Sequence, residues 1–67
     1  MNIEFSIGTY DKIQHEFVQN WLTDNKFEVK DISFNGDHYS EIYCFGDYNK
    51  AYRKLSGIAN ISLEHWN

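Results

Sequence analysis

Proline is absent from this chain of 67 residues, and cysteine occurs once, as Cys44. A lone cysteine excludes an intramolecular disulfide, and without a C-x-x-C pair there is no thiolate signature for zinc. Such usage suits a reducing, intracellular setting, so a cytoplasmic location is expected. The glycines Gly8, Gly36, Gly46 and Gly57 stand apart, which leaves no glycine-rich phosphate loop. No run of about 18 apolar residues is present, so no membrane-spanning helix is expected. The opening "MNIEFSIGTYDK" lacks the basic and apolar regions of a signal peptide. Basic residues are scarce too. Six Lys and Arg stand against ten Asp and Glu, for a formal charge of −4. Non-specific nucleic-acid binding rests on Lys and Arg, so this balance argues against it.

What is present describes one small domain over residues 1–67, with no linker, repeat or low-complexity tract. A chain this short buries a modest fraction of its surface, and aromatics, at 18%, are its main resource for a core. Asn, Ile, Lys, Tyr and Phe fill 29 of the 67 positions. Their codons are AT-rich, which points to an AT-rich bacterium, phage or plasmid as the source.

"NIEFSIG" alternates, with Ile3, Phe5 and Ile7 on one side, and reads as a half-buried strand ended by Gly8. Asp11 and Gln14 have the spacing of a capping box. The helix they open carries Ile13, Phe17, Val18, Trp21 and Leu22 as its apolar stripe, and Asn25 is the expected left-handed cap. Two strands, "KFEVKDISF" and "HYSEIYCF", follow, joined by Asn35-Gly36, a strong hairpin signal. Asp47 caps a second helix with Tyr48, Ala51, Tyr52, Leu55 and Ile58 on its apolar side and Gly57 just past its end. "NISLEHW" is the last strand, with Ile61, Leu63 and His65 inward and Ser62, Glu64 and Trp66 outward.

A two-residue turn at Asn35-Gly36 would set Phe34 opposite Asp37. It would then pair Val29 with Ile42, Phe27 with Cys44, Ile32 with Tyr39, Lys30 with Glu41 and Glu28 with Tyr43. Strand two changes phase between Val29 and Ile32, which a bulge near Lys30-Asp31 would produce.

The order β-α-β-β-α-β predicts an α+β, ferredoxin-like fold. Its four-stranded antiparallel sheet, ordered 4-1-3-2, would carry two helices on one face. The uncovered face would collect Glu4, Ser6, Glu28, Lys30, Ile32, Tyr39, Glu41, Tyr43, Ser62, Glu64 and Trp66. Every strand contributes a glutamate to it, and tyrosines and a tryptophan lie among them.

"YSEIYCFGDYNKAYRKL" resembles the third strand and second helix of the RNA-recognition motif, and the topology is similar over most of the chain. That resemblance implies bases stacked on Tyr39 and Tyr43. The motif's basic and aromatic signature is absent, however. Glu41 lies between the rings, and the first strand offers Asn2, Glu4 and Ser6 outward. Four carboxylates around the rings would repel a phosphate backbone. The acylphosphatase fold class is similar too, but its arginine-bearing phosphate loop has no counterpart at "SIGTYDK".

His15, His38 and His65 fall on three different elements without ligand spacing, so no metal is expected. Cys44 points inward, as a small core hydrophobe. An open sheet face supplies no cleft to raise a carboxylate pKa, so neither an enzyme nor a cofactor is expected. Tyrosines among carboxylates suit a basic protein surface instead, with Tyr39, Glu41, Tyr43, Glu28, Glu4, Glu64 and Trp66 as the contact residues. Small, acidic phage-encoded inhibitors, the anti-CRISPR and anti-restriction proteins, are similar in size and charge. That likeness implies a nucleic-acid-handling host protein as target and the host cytoplasm as location. The competing expectations are an RNA-recognition-motif-like binder of single strands and a dimeric structural or regulatory subunit paired through the C-terminal strand, with Trp66 as anchor.

Overall fold

The computed structural model describes residues 1–36 and 39–65, and of His65 the backbone alone. Its elements are β1 (Asn2–Thr9), α1 (Lys12–Asp24), β2 (Glu28–Asn35), β3 (Tyr39–Asp47), α2 (Tyr48–Leu55) and β4 (Ile61–His65). The fold is α+β. Four strands form an antiparallel sheet in the order β2-β3-β1-β4, and the two helices contribute to one core.

Local chemistry explains the helix ends. Asp11, in extended conformation, accepts the Gln14 backbone N–H at 2.7 Å and starts α1. The Gln14 side chain does not return to the cap, as a capping box requires. It donates instead to the Ala59 carbonyl at 3.3 Å. Asp47 caps α2 through the Lys50 N–H, and Gly57 takes a φ of +86° just beyond that helix. At the end of α1 the left-handed residue is Lys26, φ +64°, rather than Asn25. Asn25 caps with its side-chain amide, which donates to the Trp21 carbonyl at 2.9 Å.

The core unites Phe5, Ile7, Ile42 and Cys44 of the central strands with Val18 and Leu22 of α1 and Ala51 and Leu55 of α2. Burying each large apolar side chain is worth roughly 1.5–3 kcal/mol. A run of rings, Trp21–Phe27–Phe5–Tyr48–Tyr52, then links the helices and ends at Tyr52, which is exposed rather than buried with the apolar side of α2. Successive centroids are 5.3, 6.0, 5.2 and 6.0 Å apart, with the two contacts of Phe5 edge-to-face. The Phe27 ring rests directly on Gly46, where a side chain on β3 would collide with it.

Two further expectations are corrected. The hairpin register is displaced, because Asn35 pairs with Tyr39, which makes the connection longer than two residues. Phe34 lies opposite Ser40, Ile32 opposite Ile42, Val29 opposite Cys44 and Glu28 opposite Phe45, while Glu41 faces Ser33. Expected pairs such as Lys30–Glu41 and Ile32–Tyr39 do not form. The reason is hydrophobic. A bulge between Val29 and Asp31 turns both Val29 and Ile32 towards the helices, where each packs on the core. Asp31 secures the bulge by accepting the Ile32 N–H at 2.9 Å.

The second correction concerns α1. Its buried residues are Val18 and Leu22, whereas Ile13 is 80% exposed and Phe17 39%. The inward direction of the helix is set by polar clasps at its start. Asn60 donates to Asp11 at 2.9 Å, Gln14 reaches Ala59, and His15 meets Ser40.

Candidate functional site: the open face of the sheet

Strand register places the outward residues on a grid. Down the middle runs β3, with Tyr39, Glu41, Tyr43 and Phe45 on one side of the strand. Across the strands, Asp31, Tyr43, Ser6 and Glu64 form one row. Ser33, Glu41, Gly8 and Ser62 form the row above, and Glu28, Phe45 and Glu4 the row below. The structure thus brings Tyr39, Glu41, Tyr43, Glu28, Glu4 and Glu64 to one face. Ile32, expected there, lies on the helical side. Trp66 and His38 lie outside the described residues.

Small residues on β1 let the central side chains lie low. Ser6 and Gly8 are buried even though they belong to the uncovered face. Ser6 donates to one Glu41 oxygen at 3.1 Å, and the Tyr43 hydroxyl donates to the other at 2.7 Å. Glu41 is therefore a fixed carboxylate held by two hydroxyls. Tyr39 lies across Gly8. A methyl group there would come within 2.9 Å of the Tyr39 hydroxyl and 3.0 Å of the Ser62 hydroxyl. The Tyr39 ring also packs on Tyr10, with centroids 5.0 Å apart.

Both phenols are pushed above the ordinary tyrosine value. For Tyr43 the hydrogen bond to Glu41 is the main cause, since it holds the protonated form. For Tyr39 desolvation leads, followed by the charge of Glu41. The face thus favours neutral hydroxyls beside fixed negative charge. A basic group approaching it meets both.

One cation already sits there. Lys30, at the bulge, reaches Glu28 at 3.4 Å and lies 5.9 Å from the centroid of Phe45. Carboxylate and ring hold it together. Phe45, Asp31 and Tyr10, besides the small residues Gly8 and Ser33, are members of this face that sequence reading missed. Continuing the β3 alternation to its end would have found Phe45. The bulge hides Asp31.

On the helical side, Ser40 forms a second polar feature. Its Oγ is 2.7 Å from His15 Nδ1 and also bonds the Thr9 hydroxyl. These groups edge a cleft of about 250 Å³, together with Phe34 and Tyr39. Ser40 and His15 have the spacing of a nucleophile and base. Ser40 is only 3% exposed, however, and its remaining contact is Thr9. The trio satisfies three polar groups between α1 and the sheet. Cys44 is buried at 1% exposure, and burial pushes its thiol up to about 12. Among the described residues, no group of three or more His, Cys, Asp or Glu could hold a metal ion. No described helix is long and apolar enough to cross a membrane. Compared with protein-family models, curated proteins and solved structures, the chain matches none.

Proposed function

We propose that this chain is a small, non-enzymatic protein-binding module that captures a basic protein surface through its open sheet face. The observation that carries the reading is the central β3 column, Tyr39-Glu41-Tyr43-Phe45, bordered on neighbouring strands by Glu28, Asp31, Glu4 and Glu64. Rings supply contact area, and the carboxylates supply charge that a nucleic-acid backbone would not tolerate. A nucleic-acid-handling protein, whose own basic groove matches such a face, is the partner class this favours. An inhibitor carried by a phage or mobile element fits that role. The architecture is read as ferredoxin-like, since β2-β3-β1-β4 counted from the β4 edge is 4-1-3-2.

The test is capture from source cells by wild type and by a Glu4→Lys/Glu64→Lys variant. Both positions contribute only charge, so the fold should survive. A partner retained by the wild type and lost by the variant supports the reading. Equal capture by both would sink it.

One observation favours a second reading. Three aromatics in a single column of a central strand could stack unpaired bases. Saturable binding of mixed single-stranded RNA at low salt, lost on Tyr43→Ala, would put RNA first.

A further inference from the structure

The face carries more chemical detail than its net charge. Phe45 lies opposite Glu28 on β2 and opposite Glu4 on β1, so a carboxylate flanks its ring on each side. Directly opposed residues on neighbouring strands stand about 4.5–5.5 Å apart at Cβ, close enough for one bound cation to touch ring and carboxylate together. Lys30 does this on the Glu28 side. Among the described residues that pair is the only salt bridge, which leaves the Glu4 side of the ring without a cation. Lys30 is 43% exposed at its side chain and Glu28 65%. Water therefore weakens their attraction, and an incoming cation can exchange with the ammonium.

Resting on the reading of this face as a protein-binding surface, we propose that its partner presents arginine. The guanidinium lands on the Phe45 ring between Glu28 and Glu4, and Lys30 is the chain's own occupant of that position, displaced on binding. Charge complementarity asks for a cation, and the ring with two flanking carboxylates narrows it further. A guanidinium is flat, stacks on an aromatic face and forks onto a carboxylate, whereas an ammonium is a compact, strongly hydrated point charge. An arginine can therefore cover the ring and reach one carboxylate at once, which Lys30 does less well. Glu41 is the less open landing point, because Ser6 and Tyr43 already hold one acceptor site on each of its two oxygens.

The experiment is a titration of isotope-labelled protein with an oligo-arginine peptide and, separately, an oligo-lysine peptide of equal length, followed residue by residue by NMR. Wild type, Lys30→Gln, Phe45→Leu and Lys54→Gln are compared. Lys54, on α2, is a control for the charge change alone. The expected result is tighter binding of the arginine peptide, with shifts centred on Phe45, Glu28 and Glu4. Lys30→Gln should tighten that binding about fivefold, the sum of an exposed ion pair and a cation–π contact. Phe45→Leu should abolish the preference for arginine. Lys54→Gln should change affinity by less than about twofold, because the two faces are separated by about a Debye length. Equal affinity for both peptides, with shifts on this face, would overturn the arginine assignment and leave the protein-binding reading standing. An equal gain from Lys30→Gln and Lys54→Gln would overturn the displacement of Lys30. Shifts absent from the face altogether would overturn both the inference and the reading beneath it.

Discussion

Tyr39 lies over Gly8, with its hydroxyl where a side chain on β1 would have to be. The two outward tyrosines of β3 differ in what they touch: Tyr39 lies on the bare backbone of β1 and against Tyr10, whereas Tyr43 bonds Glu41 of its own strand. Gly8→Ala should cost about 1 kcal/mol, the low end for overpacking, because a tyrosine tip can move aside. In a Tyr39→Ala background the same change should cost less, with the Ser62 hydroxyl at 3.0 Å as the remaining close neighbour. A urea-denaturation double-mutant cycle measures the coupling, and additive losses would refute the contact.

Glu41 should report on Tyr43. In Glu41→Gln the hydrogen bond weakens and the charge disappears, so the Tyr43 phenol should titrate closer to its ordinary value of 10.0. Residue-resolved NMR of the tyrosine rings follows Tyr43 apart from the other four phenols. An unmoved titration would mean that Glu41 does not govern the phenol.

Alkaline pH should unfold the domain progressively. The Cys44 thiol is raised by burial from 9.0 to about 12, and both phenols are raised from 10.0. Each group binds its proton more tightly when folded than when unfolded. Their stability is complete below the unfolded values and is lost as pH climbs through the folded ones. Stability should fall from about pH 9 upward. Cys44→Ala should be less stable at neutral pH, because it opens a cavity, but its decline between pH 9 and pH 12 should be shallower. Chemical denaturation across that range is the measurement, and parallel curves would contradict it.

The orientation of α1 can be tested by two truncations. Leu22→Ala should cost about 2–5 kcal/mol, a large part of the stability of so small a domain. Ile13→Ala should stay within about 0.5 kcal/mol. If the apolar stripe were centred where the sequence pattern suggests, the two costs would be comparable.

The trio of Ser40, Thr9 and half-buried His15 should be asymmetric. Ser40→Ala strands both His15 Nδ1 and the Thr9 hydroxyl, so it should cost about 1–3 kcal/mol. His15→Ala leaves Ser40 and Thr9 bonded to each other and should cost less. Thermal melts of the two variants decide the order.

Those tests show where sequence patterns inform and where they stop. Alternation in β1 and caps at Asp11 and Asp47 are local properties, set within a few residues, and they were legible. So was the bulge, because the phase of Val29 conflicts with that of Ile32 along one strand. The loop length was not. Asn35-Gly36 is compatible with several hairpin connections, and the choice among them came from Val29 and Ile32 both packing on the core across the bulge. The direction of α1 was hidden for a related reason. Hydrogen bonds from Asn60 to Asp11 and from Gln14 to Ala59 span more than forty positions, and no periodicity encodes them. On the open face, the acidic and aromatic character was readable from strand parity. Asp31 was not, because a single inserted residue at the bulge exchanged the faces of everything beyond it.

The same bulge bears on solubility. A regular outer strand offers a row of unpaired amides on which another chain can build, and β2 is an outer strand of this sheet. Near the start of β2, at Val29–Asp31, that row is broken, and Glu28 and Lys30 set charges beside the break. A second molecule adding a strand there would lose register within a few residues. The break thus makes one border of the sheet a poor template for strand addition, and leaves β4, whose ladder with β1 runs unbroken from Ile61 to His65, as the border without such an interruption.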